Sequence, residues 1–534
     1  MNSATDAPWW RGATIYQIYP LSFCDSNGDG WGDLPGVLAH LDHVASLGVD
    51  GVWLSPFFTT PLKDFGYDVA DYCGVDPVFG TLADFDAVVA RAHALGLKLI
   101  IDQVYSHTAD AHAWFTESRA DRTNSKADWY VWADPRPDGT PPNNWQSLFG
   151  GPAWEWDPRR RQYFLHNFLT SQPDLNLHNV AVQNAILDVA RFWLDRGVDG
   201  FRLDVANYYM HDVALRDNPK ADYLKPPNRP HQFQKRLYDS NRPENLAFIA
   251  RLRGVLDSYP DRMAVGELVA DDELAAQRAY TIGDDRLHTA YSFQFLYARD
   301  LKPADFVKAM GAWSDGQGWP SWSLGNHDVP RFASRLCSDN PAHTRVMLAA
   351  LLALRGTIFL YQGEELGLPD GAVSYERLRD PEAIRFWPAP IGRDGARTPM
   401  PWTPQPPMAG FTSAPDAWLP MDPRHPPFSA PAQSGPDSFL AFARGLIGLR
   451  RASPALRLGA VEIIHADAAL LALTRRHGDS VVAVVLNFSD QAQAFTDPAL
   501  IGATALPCGL AGQLHEGVAT LPGFGGVFAT LARR

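Results

Sequence analysis

Two stretches decide the fold: GVDGVWLSP (Gly48–Pro56) and GVDGFRLDV (Gly197–Val205). Each follows a helical pattern. Leu34, Val37, Leu38, Leu41, Val44 and Leu47 precede the first, and Ile186, Val189, Phe192 and Trp193 precede the second. A third copy runs through Phe85, Val88, Val89, Ala92 and Leu95 to Gly96, then LKLIIDQV. In every copy an apolar helix face ends at glycine and a short apolar strand follows. Continuous apolar strands alternating with helices imply parallel pairing with both sheet faces covered. Further runs at ATIYQIYP, MAVGEL, TAYSFQF, SWSLGN and TIFLYQG bring the strands to eight. Eight point to the α/β class and a (β/α)8 TIM barrel with insertions. An open doubly wound sheet stays in play, because strand order is not written in one sequence.

Composition excludes several function classes. The 534 residues carry 47 basic and 60 acidic side chains, a net charge of −13. No Lys/Arg run of the kind that grips nucleic acid occurs. The longest apolar run, Val346 to Leu354, ends at Arg355, well short of the ~20 residues a membrane span needs. The start, MNSATDAPWWRG, lacks the basic and apolar blocks of an export signal. Four scattered cysteines (Cys24, Cys73, Cys337, Cys508) form no CxxC or zinc spacing, so a cytoplasmic protein is expected. With 17 Trp the chain has rings suited to stacking on sugars, but filling a large core uses them as well.

The alternation divides the chain. Residues 1–105 read as the first part of the barrel and 106–176 as a domain inserted after the third strand. Residues 177–458 complete the barrel, with an excursion at about 365–438 after the eighth strand. Short apolar runs between turns make 459–534 a C-terminal antiparallel β-sandwich domain. Long loops after barrel strands shape the catalytic face.

Three carboxylates sit where such a barrel places chemistry. Asp204 closes GFRLD, Glu267 closes MAVGE, and Asp328 follows SWSLGNH, with Arg202 and His327 beside them. One carboxylate capping a helix is ordinary; three on different strands suit glycosidic bond cleavage by a nucleophile and an acid. Arg202, two residues before Asp204, points to the same face and favours its ionised form, besides any role in fixing the barrel.

DQVYSH (Asp102–His107), GFRLDVAN (Gly200–Asn207), GEL (Gly266–Leu268) and GNHD (Gly325–Asp328) resemble the four signature segments of the alpha-amylase family of glycoside hydrolases. QPDLN (Gln172–Asn176) is similar to the fifth, in its alpha-glucosidase and oligo-1,6-glucosidase form. The resemblance implies Asp204 as nucleophile, Glu267 as general acid/base and Asp328 as transition-state stabiliser. It implies His107, Arg202 and His327 around the attacked glucose, Tyr67 stacked on it, and Asp68 on its far hydroxyls, paired with Arg397 from GRDGARTPMPW. Phe164, in RQYFLHNF, is expected as an aromatic wall, although a core position is the commoner use of such a ring. Ser106 stands where many members have a calcium-binding Asn, which speaks against that calcium site.

DSNGDGWGD places Asp25, Asn27, Asp29 and Asp33 at a spacing of hard oxygen ligands for Ca²⁺ or Mg²⁺, although a plain Asp/Gly turn also fits. The resemblance adds the Trp31 carbonyl. One structural divalent cation and no organic cofactor are therefore expected. The implied activity is a retaining exo-alpha-glucosidase on maltose-type and other short alpha-glucosides, with transglucosylation at its side and alcohols as acceptors. Val205 after the nucleophile resembles α-1,6 enzymes, whereas Ala206 and Asn207 do not, and the balance leans to α-1,4. A same-fold transferase or isomerase (sucrose isomerase or trehalose synthase type) is the rival reading. A non-catalytic transporter partner is a remote one, since the catalytic acids are present.

Overall fold

The computed structural model describes residues 7–223 and 227–531; the reading of the N-terminal start falls partly on residues 1–6, outside the described residues. Eight strands form the central sheet: β1 (Thr14–Ile18), β2 (Gly51–Leu54), β3 (Lys98–Gln103), β4 (Gly200–Leu203), β5 (Met263–Glu267), β6 (Thr289–Tyr291), β7 (Ser321–Trp322) and β8 (Thr357–Tyr361). Their order is β6-β5-β4-β3-β2-β1-β8-β7, with every pair parallel. A parallel bridge from Ala290 to Pro320 joins β6 to β7, so the sheet closes on itself and the open alternative falls away. Ile15, Trp53, Ile100, Met263, Val265, Tyr291 and Phe359 fill one buried cluster, drawn from most strands of the ring.

Helices α1 (Leu34–Ser46), α2 (Leu82–Ala94) and α3 (Val180–Asp195) bury the faces that the apolar spacing marks. Side chains of Asp33, Thr81 and Asn179 cap their N-termini. Gly48, Gly96 and Gly197 follow their last turns at φ +84, +75 and +94, a left-handed stop that any side chain would strain.

After β3 the chain forms a small antiparallel sheet from residues 132–133, 154–157 and 162–165, beside the helix Ala113–Ala120. After β8 it runs through short turns and the helix Pro381–Phe386. The C-terminal module stacks a five-stranded antiparallel sheet on a three-stranded one. A buried arginine of its second strand, Arg475, stitches it to the barrel, and buried Arg450 ties in the helix Phe439–Ala452 that precedes it. Arg450 donates to the carbonyls of Leu352, Leu354 and Gly356, and Arg475 to those of Ala353 and Gly459. Several of these lie at the C-terminal end of the helix Pro341–Ala353, where a cation complements the exposed carbonyls. Among the described residues no helix is long and apolar enough to cross a membrane.

Candidate active site

Arg202 organises the C-terminal rim. On β4 it stands in register with Asp102 on β3 and Val265 on β5. Its Nη1 donates to Asp102 Oδ1 at 2.8 Å and to Asp204 Oδ1 at 2.6 Å, while Nη2 makes an ion pair with Glu267 Oε2 at 2.6 Å. One fully buried guanidinium therefore serves three carboxyl groups, and burial favours their neutral forms. Burial raises the Glu267 carboxyl to about 8, with Arg202 opposing and Asp204 and Asp328 adding to the rise. It raises Asp204 and Asp102 too, against the charge of Arg202. Asp102 was legible as part of DQVYSH, but its service to Arg202 depends on strand register.

Asp328 behaves oppositely. Burial would raise it, but Arg397, Arg393 and Arg202 hold it well below the usual carboxylate range. Arg397 Nη2 donates to Asp328 Oδ1 at 2.8 Å, and Arg397 Nε to the His327 carbonyl at 2.7 Å. Burial lowers His327, so its ring is neutral. With Gln17 Nε2 donating to Nδ1 at 2.8 Å, the proton sits on Nε2, 2.7 Å from the Tyr67 hydroxyl. That hydroxyl donates onward to Asp102 Oδ2 at 3.1 Å. Burial likewise lowers His107 to about 4, and its ring bridges Ser106 Oγ and the Tyr67 carbonyl.

These groups face a cavity of about 480 Å³, lined among others by Tyr67, His107, Asp204, Glu267 and Asp328. Two expectations change here. Asp68 does not pair with Arg397: it accepts from Thr60 Oγ1 and from the backbone amides of Lys63 and Asp64, turned away from the cavity. The pair on the cavity wall is Asp64 with Arg393, Nη2 to Oδ1 2.9 Å, and Asp380 braces Arg393 at 2.8 Å. Phe164 is not a wall either. Its strand directs it into the inserted domain, against Phe115 and Trp132 at ring separations of 5.3 and 5.6 Å. Beyond that strand, Phe168 lines the cavity, 5.0 Å from the His107 ring and 5.8 Å from Phe149.

Three chain segments meet over this cavity. Arg229, on the loop after β4, donates through Nε to Glu382 Oε1 at 2.5 Å, from the helix after β8. Leu148 and Phe149 of the inserted domain complete the rim. Sequence singles out none of these, because they lie on loops and a short helix without a motif.

The Asp/Gly loop forms a network of its own. Asp25 accepts from the amides of Asn27, Gly28 and Gly30, Asp29 from that of Trp31, and Asp33 from those of Ser26 and Gly36. Among the described residues no three His, Cys, Asp or Glu side chains converge as a metal cluster. The donor set is nevertheless hard oxygen throughout, and no cation is paired with Asp25, Asp29 or Asp33 in the described residues. Burial first, and Asp25 among the further causes, raises the Asp33 carboxyl. The loop fits a divalent cation in donor chemistry.

A closed parallel barrel with buried carboxyl groups clustered on one arginine at its C-terminal rim defines a barrel enzyme. The model of the alpha-amylase catalytic domain matches residues 17–459. A probable alpha-glucosidase of Rhizobium meliloti is 50% identical, over 99% of this chain and 98% of its own. An oligo-1,6-glucosidase of Heyndrickxia coagulans is 38% identical, over 92% and 94%. The crystal structure of an alpha-glucosyl transfer enzyme, XgtA, superposes with a TM-score of 0.95 at 49% identity, covering 99% of this chain and 100% of that one. The chain belongs to the alpha-amylase family of glycoside hydrolases, in its alpha-glucosidase and oligo-1,6-glucosidase branch.

Proposed function

We propose that this enzyme is a retaining, exo-acting alpha-glucosidase that releases glucose from short alpha-glucosides. The observation that carries this is the sharing of Arg202 by Asp204 and Glu267, each 2.6 Å from the guanidinium. Inverting enzymes need room for a water between their carboxyl groups, a gap of roughly 6.5–9.5 Å, whereas retaining pairs stand roughly 5–5.5 Å apart. Two carboxyl groups held at 2.6 Å by neighbouring nitrogens of one guanidinium support the second arrangement.

In the first step an Asp204 oxygen bonds to the anomeric carbon as the glycosidic bond breaks, and protonated Glu267 gives its proton to the leaving oxygen. In the second, ionised Glu267 takes a proton from water, whose oxygen displaces Asp204 and frees glucose. Arg202 stabilises Asp204 when it carries charge. Asp328, held ionised by its arginines, opposes the positive charge that develops on the ring. The arginine–carboxylate pair Arg393–Asp64 and the clasp Arg229–Glu382 favour a single sugar at a chain end over an interior site.

Maltose-type α-1,4 substrates remain the preferred reading over α-1,6. Transfer to alcohols is the second reading, favoured by the likeness to an alpha-glucosyl transfer enzyme. We place the enzyme in the cytoplasm, in keeping with cysteines that are all free. We also assign one structural Ca²⁺ or Mg²⁺ to Asp25, Asn27, Asp29, the Trp31 carbonyl and Asp33, where it would fix the loop and take no part in bond cleavage. Product identification on maltose, isomaltose, sucrose and starch, with Asp204→Asn as control, tests the activity. Undiminished glucose release by Asp204→Asn sinks the nucleophile assignment.

A further inference from the structure

We infer that Asn207 is a positioning residue for Glu267, acting through the strained turn behind the nucleophile; this rests on the roles proposed above. Val205 adopts φ +35 and ψ +50. A β-branched residue persists in the left-handed region only where its surroundings over-determine the backbone. In that conformation its N–H donates to Glu267 Oε2 at 3.0 Å. Arg202 Nη2 meets the same oxygen, which leaves Oε1 to carry the proton toward the leaving group.

Asn207 supplies the restraint. Its Nδ2 donates to the Val269 carbonyl at 2.7 Å and its Oδ1 accepts from the Val269 amide at 3.2 Å. Nδ2 also donates to Asn241 Oδ1 at 2.9 Å, and the Asn241 amide returns to the Asn207 carbonyl at 2.8 Å. The side chain thus pairs with both backbone groups of the residue two beyond Glu267, as a neighbouring strand would. Asn207 is fully buried and absent from the cavity lining, so it reaches substrate only through Val205 and Glu267. It ties the chain leaving the nucleophile to the chain leaving the acid.

The test compares leaving groups in the full-length enzyme. For Asn207→Ala and the near-isosteric Asn207→Asp, kcat/KM is measured on maltose, which needs the acid, and on alpha-glucosyl fluoride, whose fluoride departs without a proton. With maltose we expect a loss of at least about tenfold, part of the ~10²–10⁴ that a general acid supplies, and with the fluoride a loss below about threefold. Equal losses on the two substrates, or no loss on maltose, overturn the inference. A fold defect in Asn207→Ala is detected by its thermal midpoint, and Asn207→Asp then decides. If the wild type cleaves neither substrate, it is the proposed activity that fails, not the role of Asn207.

Discussion

Arg393 Nη2 stands 2.9 Å from Asp64 Oδ1, joining segments 329 residues apart on the cavity wall. A guanidinium held on two sides, by Asp64 and Asp380, presents its remaining donors in a fixed direction, which a lysine cannot reproduce. Arg393→Lys is expected to lower kcat/KM on maltose by about 10–100-fold, the equivalent of one charge-assisted hydrogen bond of ~1.5–3 kcal/mol. Asp68→Asn should leave kcat/KM within about threefold yet lower stability by ~1–3 kcal/mol, because its amide faces backbone donors. Steady-state kinetics with denaturant titration separate the two, and the reverse pattern would restore Asp68 to the cavity.

Activity should fall on the alkaline side. Glu267 acts as an acid only while protonated, and burial holds its carboxyl up to about 8. Below that pH kcat/KM on maltose is insensitive to Glu267; above it, the rate drops about tenfold per pH unit as the proton is lost. Glu267→Gln, assayed on alpha-glucosyl fluoride, should show no alkaline limb near that pH. An unchanged limb in that variant assigns the titration to another group.

The two phenylalanines of RQYFLHNF should part company. Phe168→Ala removes a cavity wall and should raise KM for maltose with modest effect on folding. Phe164→Ala leaves a void among Phe115 and Trp132 and should cost ~3–5 kcal/mol of stability, with KM unchanged. Equal effects on KM would place both rings at the sugar.

Opening the clasp should widen the substrate range. Arg229→Ala removes the pairing with Glu382 at the cavity mouth, and maltotriose should gain on maltose as a substrate. A ratio that does not move means that chain length is limited elsewhere.

Removing divalent cations should lower the unfolding temperature. A cation at 100 times its Kd contributes about 2.7 kcal/mol, so chelation followed by Ca²⁺ or Mg²⁺ should lower and then restore the thermal midpoint. Asp29→Ala should lose this response. A midpoint indifferent to chelator and cation leaves the loop as a set of Asp/Gly turns, which its amide contacts already satisfy.

Sequence alone determined the strands, the glycine stops and the three carboxylates Asp204, Glu267 and Asp328, because each follows from local periodicity or from position at a strand end. Strand register, a property of neighbours far apart in the chain, brought Asp102 to Arg202. The choice between Asp64 and Asp68 belonged to tertiary structure as well. Phe65 and Gly66 between them take φ +53 and +109, so no strand or helix period carries through to say which acid faces the cavity. The same holds for Arg393 and Arg397, on an irregular loop after β8: one meets Asp64 and the other Asp328, and only the packing of distant segments assigns them.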